Sequence, residues 1–227
     1  MQGTSGRTVP VPQKTEEEYN MPTERFDKLP EQKKIRISDA ISEEFGRGQT
    51  GEIHITQIAR SARVSRGSLY SYFRSKEDML SFSLHQTQRF IWDTNKEILR
   101  EKEGDYWEML EASLRYQFSI CRTNRLYRLL YLPLEGNESF SSLSYSLFWG
   151  KEYADYKTWI YGHMHPAYRE RFSEEEFGVY QDTCNDILTV AIQIYMTGAG
   201  KKEEITGMFH KKMTHMKPVV DLSLIHI

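Results

Sequence analysis

Residues 55 to 76 of this 227-residue chain hold five basic side chains, Arg60, Arg63, Arg66, Arg74 and Lys76, and no acidic one. The chain carries a net charge of −2, so with those five set aside the remainder stands at −7. The stretch is also patterned for two short helices about a tight turn. Ile58, Ala59 and Ala62 share one face of the first helix, and Thr56 is placed to cap it. Alanines at 59 and 62 let a second helix cross closely. Val64 fills the turn, and Ser65 is placed to cap the second helix, in which Leu69 and Phe73, four apart, face inward. A helix pair with one basic, outward face is the layout that sets side chains into the major groove of DNA. Basic charge this local suits a docked patch, not a surface coated with positive charge.

Each outward residue type has a part to play against a duplex. Arg66 is able to donate two bonds to a guanine, whereas Ser68 and Ser71 discriminate less. Gly67 lets the backbone approach closely. Tyr70, Tyr72, Arg74 and Lys76 suit phosphates, which fix register and carry no sequence information. Thr56 and Gln57, at the start of the first helix, complete the candidate DNA-binding set.

The run Val64-Ser65-Arg66-Gly67-Ser68-Leu69-Tyr70-Ser71-Tyr72-Phe73, followed by Ser75-Lys76-Glu77-Asp78-Met79-Leu80, resembles the DNA-binding core of the TetR (tetracycline-repressor-like) family of bacterial transcription regulators. The resemblance spans roughly residues 30 to 82. It implies that Tyr70 and Lys76 hold the phosphate backbone. One departure is Arg63, where the family usually has glycine; a left-handed conformation there costs arginine about 1 kcal/mol more than glycine.

Outside this segment the pattern is helical, and the expected fold class is all-α. Pro30 opens a helix with Ile35, Ile37, Ala40, Ile41 and Phe45 as its stripe, closed by Gly46 and Gly48. Ser75 and Asp78 start a long helix to about Lys102. Further helices are expected over about 105 to 122, 124 to 134, 139 to 162, 174 to 197 and 202 to 216. Ser173 and Glu176 form a capping box, and Gly198 and Gly200 stop the helix they open. The expected domains are a disordered extension over 1–20, with Met21 as natural start; a helix-turn-helix domain over 21–74; a helical effector-binding and dimerisation domain over 75–217; and a disordered tail over 218–227, whose apolar end at 222–227 reads as non-native.

The resemblance implies more about the second domain. Its aromatic middle should enclose a small-molecule pocket, for which Trp107, Tyr116, Tyr145, Phe148, Trp149 and Trp159 are the candidates. Its last two helices should pair with their copies as a four-helix bundle, through Phe177, Tyr180, Cys184, Ile187, Ala191, Ile205 and Phe209. Two-fold dimers read paired half-sites, which fits one short recognition helix per subunit. The function implied is a homodimeric repressor on a palindromic double-stranded operator, released by an effector. The alternative is a DNA-bound structural or partner-recruiting protein of the same fold without an effector.

Other chemistries find little purchase. Gly198-Ala-Gly-Lys201-Lys202 lacks the first glycine and the Ser or Thr of a phosphate loop. His163, His165, His210 and His215 match no standard zinc spacing, and Cys121 and Cys184 make neither a metal finger nor a disulfide framework. No enzyme, cofactor or metal is expected. No apolar run approaches 18 residues, so the expectation is a cytoplasmic protein, nucleoid-associated when on DNA, with no membrane partner.

Overall fold

The computed structural model describes residues 22–47, 53–131 and 150–217, and the regular structure among them is entirely helical. A four-residue helix that the pattern did not announce comes first, α1 (Glu24–Asp27). Helix α2 (Glu31–Arg47) follows Pro30, whose carbonyl accepts from the N–H groups of Lys33 and Lys34 at 2.8 and 3.1 Å. Ile37, Ala40, Ile41 and Phe45 are buried as expected, but Ile35 is 51% exposed. Two residues separate it from Ile37, which is about 200° around the helix and therefore the opposite face.

Helices α3 (Ile55–Ser61) and α4 (Arg66–Tyr72) form the hairpin. Thr56 does not cap α3. His54 is the flanking residue, and Thr56 lies exposed in the first turn. At the other end Arg63 has φ 54°, the left-handed conformation anticipated for this turn. The Val64 N–H reaches the Ala59 carbonyl at 2.9 Å and the Arg63 N–H reaches Arg60 at 3.1 Å, the paired bonds that close a helix through a left-handed residue.

The spine is α5 (Lys76–Glu101), which packs on α2 with its first half and on three later helices, α6 (Tyr106–Ile120), α7 (Arg125–Tyr131) and α8 (Lys151–His163). The Ser75 hydroxyl accepts from the Asp78 N–H at 3.1 Å, and the Asp78 carboxylate accepts from Arg74 N–H at 2.9 Å. A short α9 (Pro166–Arg169) leads to α10 (Glu174–Thr197) and α11 (Lys202–Met216). The Ser173/Glu176 capping box is formed, and Gly198 ends α10 at φ 74°. The expected helix over 139–162 is seen from Lys151 onward; its earlier part, the expected segments 1–20 and 218–227, and the ends of the 124–134 expectation beyond Tyr131 lie outside the described residues.

Helix α10 packs between α6, α8 and α11. Of the residues expected to face a second subunit, Phe177, Cys184, Ala191, Ile205 and Phe209 are buried in the chain's own core, and Tyr180 and Ile187 are half-buried against it. The face of α10 turned to solvent carries Val179, 65% exposed, and Val190. No helix among the described residues is long and apolar enough to cross a membrane.

Candidate functional site

Helix α4 is seven residues long, too short to persist alone, and its geometry comes from its surroundings. The Ser65 hydroxyl accepts from Ser68 N–H at 3.0 Å, and the two hydroxyls lie 2.9 Å apart. Its buried edge is Leu69, Tyr72 and Phe73. These three fall at the i, i+3, i+4 spacing of one helical face, so Tyr72 goes inward and departs from the exposed phosphate-facing place expected for it. Its ring lies 6.1 Å from Phe26, which also meets Phe73 at 5.3 Å and Phe82 at 5.4 Å. Thr23 adds two bonds: its N–H donates to the Tyr72 carbonyl at 3.0 Å and its hydroxyl to the Ser71 carbonyl at 2.9 Å. Helix α1 thus clamps the C-terminal end of α4 to the start of α5. Periodicity does not see a clamp made by four residues; the threonine ahead of Glu24 was the available signal.

The outward face collects most of the expected residues. Thr56, Arg66, Gly67, Tyr70 and Lys76 are exposed, and Gln57, Ser68 and Ser71 are partly so. Arg60, Arg63, Arg66, Arg74 and Lys76 are all exposed, and none forms a salt bridge among the described residues, whereas Lys28, Lys34 and Arg47 of α1 and α2 each pair with a glutamate. A Cβ added at Gly67 would meet only the Ser65 hydroxyl, at 3.8 Å, so nothing among the described residues requires glycine there.

Behind this domain lies a cavity of about 30 Å³. Its wall comes from α5 (Gln88, Ile91, Trp92, Asn95), α6 (Gln117), α7 (Tyr131), α8 (Tyr153, Tyr156) and α10 (Asn185, Leu188, Thr189). Trp92 stacks on Tyr156 at 5.4 Å. Asn95 donates to the Tyr156 hydroxyl at 3.2 Å, and Tyr131 donates to Gln117 Oε1 at 2.5 Å. Desolvation pushes the phenols of Tyr131, Tyr153 and Tyr156 well above their ordinary range. Of the six aromatics expected to line a pocket, the three among the described residues lie off this wall. Trp107 is buried elsewhere, against Tyr106 and Tyr168; Tyr116 is half-buried on α6; and Trp159 lies near the surface with His163 stacked on it at 3.8 Å. Tyr145, Phe148 and Trp149 lie outside the described residues.

The remaining histidines go separate ways. His165 accepts from Ala167 N–H at the start of α9, His210 contacts Glu111 at 2.5 Å, and His215 contacts the Lys211 carbonyl. Among the described residues no three metal-binding side chains converge.

Comparison with known proteins places both halves. Residues 37–81 match the family model described as bacterial regulatory proteins, tetR family. The whole fold is similar to RolR in complex with resorcinol (TM-score 0.55, 16% identity, 83% of this chain and 89% of that one). It is also similar to a putative tetR family transcription regulator from Shewanella sp. PV-4 (TM-score 0.53, 15% identity, 80% and 95%). A third similar structure is the transcriptional regulator FadR from Bacillus subtilis with stearoyl-CoA (TM-score 0.51, 17% identity, 80% and 96%). At these identities the structures speak for the fold, and the family match speaks for the basic hairpin. The basic hairpin thus lies within a segment that matches the tetR family model, and the all-α fold of the chain is similar to that of such transcription regulators.

Proposed function

We propose that the protein is a homodimeric repressor, seated on a palindromic operator and released from it by a small-molecule effector. The observation that carries the DNA-binding part is the row of five exposed, unpaired basic side chains on a hairpin whose helix ends are capped and clamped. In this reading Arg66 reads a base edge, with Ser68 and Ser71 beside it and Gly67 allowing close approach. Thr56, Gln57, Tyr70 and Lys76 hold phosphates on either side. Tyr72 is left out of the set except through its hydroxyl edge, because its ring is spent on Phe26.

Release needs a ligand that prefers a state in which the two recognition helices no longer match the half-sites. The cavity is suitably connected for this. Tyr131 on its wall ends α7, and α7 packs against α2 of the DNA-binding domain. The similar structures that hold resorcinol and stearoyl-CoA are in keeping with an effector in this fold. The dimer forms through the solvent faces of α10 and α11, with Val179 and Val190 on the outer row, because the inner stripes are already used.

The test is binding of the full chain to the DNA flanking its own gene, titrated with salt. Selective binding with a steep salt slope is expected. Arg66→Ala should cost about 1–3 kcal/mol and relax specificity at one position. Lys76→Ala should weaken all sequences alike and flatten the slope by about one. Parent-like binding by both variants would refute the assignment of this face.

A further inference from the structure

A groove of about 280 Å³ runs between α8 and the first turns of α10. That is close to the lower end for ligand sites, about 300 Å³. It shares no residue with the small cavity behind the hairpin: Tyr153 and Tyr156 of α8 line the cavity, and Ala154, Lys157 and Thr158 line the groove. Two rows of α10 form the opposite side, each at the i, i+4, i+7 spacing of one helical stripe. One row is Glu174, Gly178 and Gln181, and the other is Glu175, Val179 and Asp182. Seven residues of helix set the ends of each row about 10 Å apart. The two ends differ in charge. At one end Asp182 is neutralised, because the Lys157 ammonium donates to its two carboxylate oxygens at 2.9 and 3.0 Å. At the other, Glu174 and Glu175 are exposed and form no salt bridge among the described residues; Glu174 accepts only from the Thr158 hydroxyl, at 2.7 Å. A second observation points to a guest. Gln181 is 1% exposed, and neither Nε2 nor Oε1 of its amide has a hydrogen-bond partner among the described residues. Buried amides are nearly always paired. No bond holds this one, so it is able to turn to a molecule at its end of the groove. Between the ends Gly178 leaves the floor bare, since a Cβ there would meet nothing within 4 Å beyond the adjacent backbone. Val179, 65% exposed, and Ala154 add apolar surface.

We infer that the groove binds an extended organic cation: an alkylamine whose ammonium pairs with Glu174 and Glu175, whose chain lies over Gly178 against Val179, and whose far end bonds the Gln181 amide. An anion would meet two uncompensated carboxylates, and a neutral chain would leave them without a counter-charge. A second ammonium at the far end would meet Lys157, already seated on Asp182. A neutral hydroxyl fits there, because it both donates and accepts, as the two halves of the amide require. The site lies apart from the hairpin and the cavity, and it does not rest on the repressor reading.

The experiment is calorimetric titration of the full chain with aminohexanol (amine and hydroxyl at opposite ends), hexylamine, hexanediol and hexanoate. Aminohexanol should bind with Kd below about 1 mM, hexylamine severalfold more weakly, and hexanediol and hexanoate about tenfold more weakly or worse. The carboxylates are exposed, so added salt should weaken both amines and leave the diol unmoved. Gly178→Leu fills the floor while replacing a helix-interior glycine, so the fold is kept and binding of both amines should be lost. Gln181→Leu should bring aminohexanol down to the affinity of hexylamine. The double variant Glu174→Gln, Glu175→Gln still accepts from Thr158 and should weaken both amines about tenfold. Hexanediol or hexanoate equal to aminohexanol, parent-like amine binding in Gly178→Leu or in the double variant, aminohexanol unmoved by Gln181→Leu, or no amine bound below that limit would overturn the inference. Val179 also stands on the row proposed for the dimer, so sedimentation accompanies each titration. Amine binding lost with the oligomeric state unchanged is the expected result; loss only together with a changed oligomeric state would give the groove to a second copy of the chain and overturn the inference.

Discussion

Arg63→Gly should make the protein more stable and a poorer DNA binder. Arg63 sits at φ 54°, where an L-residue crowds its Cβ against the following carbonyl at a cost of about 1–2 kcal/mol. The backbone bonds of the turn, Val64 N–H to Ala59 at 2.9 Å and Arg63 N–H to Arg60 at 3.1 Å, do not depend on the side chain. That side chain is exposed and makes no salt bridge among the described residues, so its removal forfeits little packing. Against the relief stands the greater freedom of glycine in the unfolded chain, about 0.5–1 kcal/mol. The net expectation is a gain of about 0.5–1 kcal/mol. Urea titration should show a higher midpoint with an unchanged m-value, and Tm should rise by about 1–4 °C for a chain of this length. If Arg63 touches a phosphate, the plot of log K against log salt should lose about 0.9 of slope. A lower midpoint would refute the strain argument, since no other described contact of Arg63 is available to account for it. A higher midpoint with an unaltered salt slope would keep the strain and remove the phosphate contact.

Three further outcomes follow from single contacts. Gly67→Ala has room for its methyl, so the fold should be kept or gain a few tenths of a kcal/mol while operator affinity falls; undiminished affinity would show that the DNA backbone does not approach there. Ser65→Ala removes the acceptor for Ser68 N–H and should cost about 1 kcal/mol in urea titration, with no loss speaking against the cap. Glu152 is held down to about 2 by His85, whose Nδ1 is 3.9 Å away, and by Arg89, which grips both carboxylate oxygens and joins α8 to α5. The unfolded chain binds that proton more readily, so the contribution is complete above about pH 5 and fades as pH falls toward 2. The stability difference between parent and Glu152→Gln should therefore shrink across that window; a constant difference would dissociate it from the ionised carboxylate.

The DNA-binding hairpin was legible because its cues are local. The Ser65 cap, the inward Leu69 and Phe73, the left-handed turn and the unopposed charge each depend on residues within a few positions, and the structure keeps all four. What failed there failed at element edges, where one residue decides the face. Thr56 is of a type that suits a cap, but the helix starts at Ile55. Tyr72 suits a phosphate by its type, but its spacing from Leu69 puts the ring inward. The Thr23–Phe26 clamp depends on contacts some 48 residues apart and had no local trace beyond a threonine before a single acidic turn.

The second domain shows why large apolar residues are poor pointers to a pocket or an interface. Periodicity finds the face that is buried, and a chain that wraps α10 with α6, α8 and α11 buries that face in itself, as Phe177, Cys184 and Ala191 demonstrate. On the opposite phase Val179 and Val190 are apolar side chains exposed on the polar row. The cavity obeys the converse logic. Aromatics such as Trp107 fill space because their large area makes burial favourable on its own, so their presence says core and not cavity. Polar groups on a core stripe are the exception that burial must account for. Gln88, Trp92 and Asn95 fall at i, i+4, i+7 on α5, which puts two amides on the inward face of the longest helix, and Gln117 stands four after Ser113 on the helix beside it. Burying amides without use is costly. Amides out of place on a buried stripe, more than rings in place, mark the wall of this cavity.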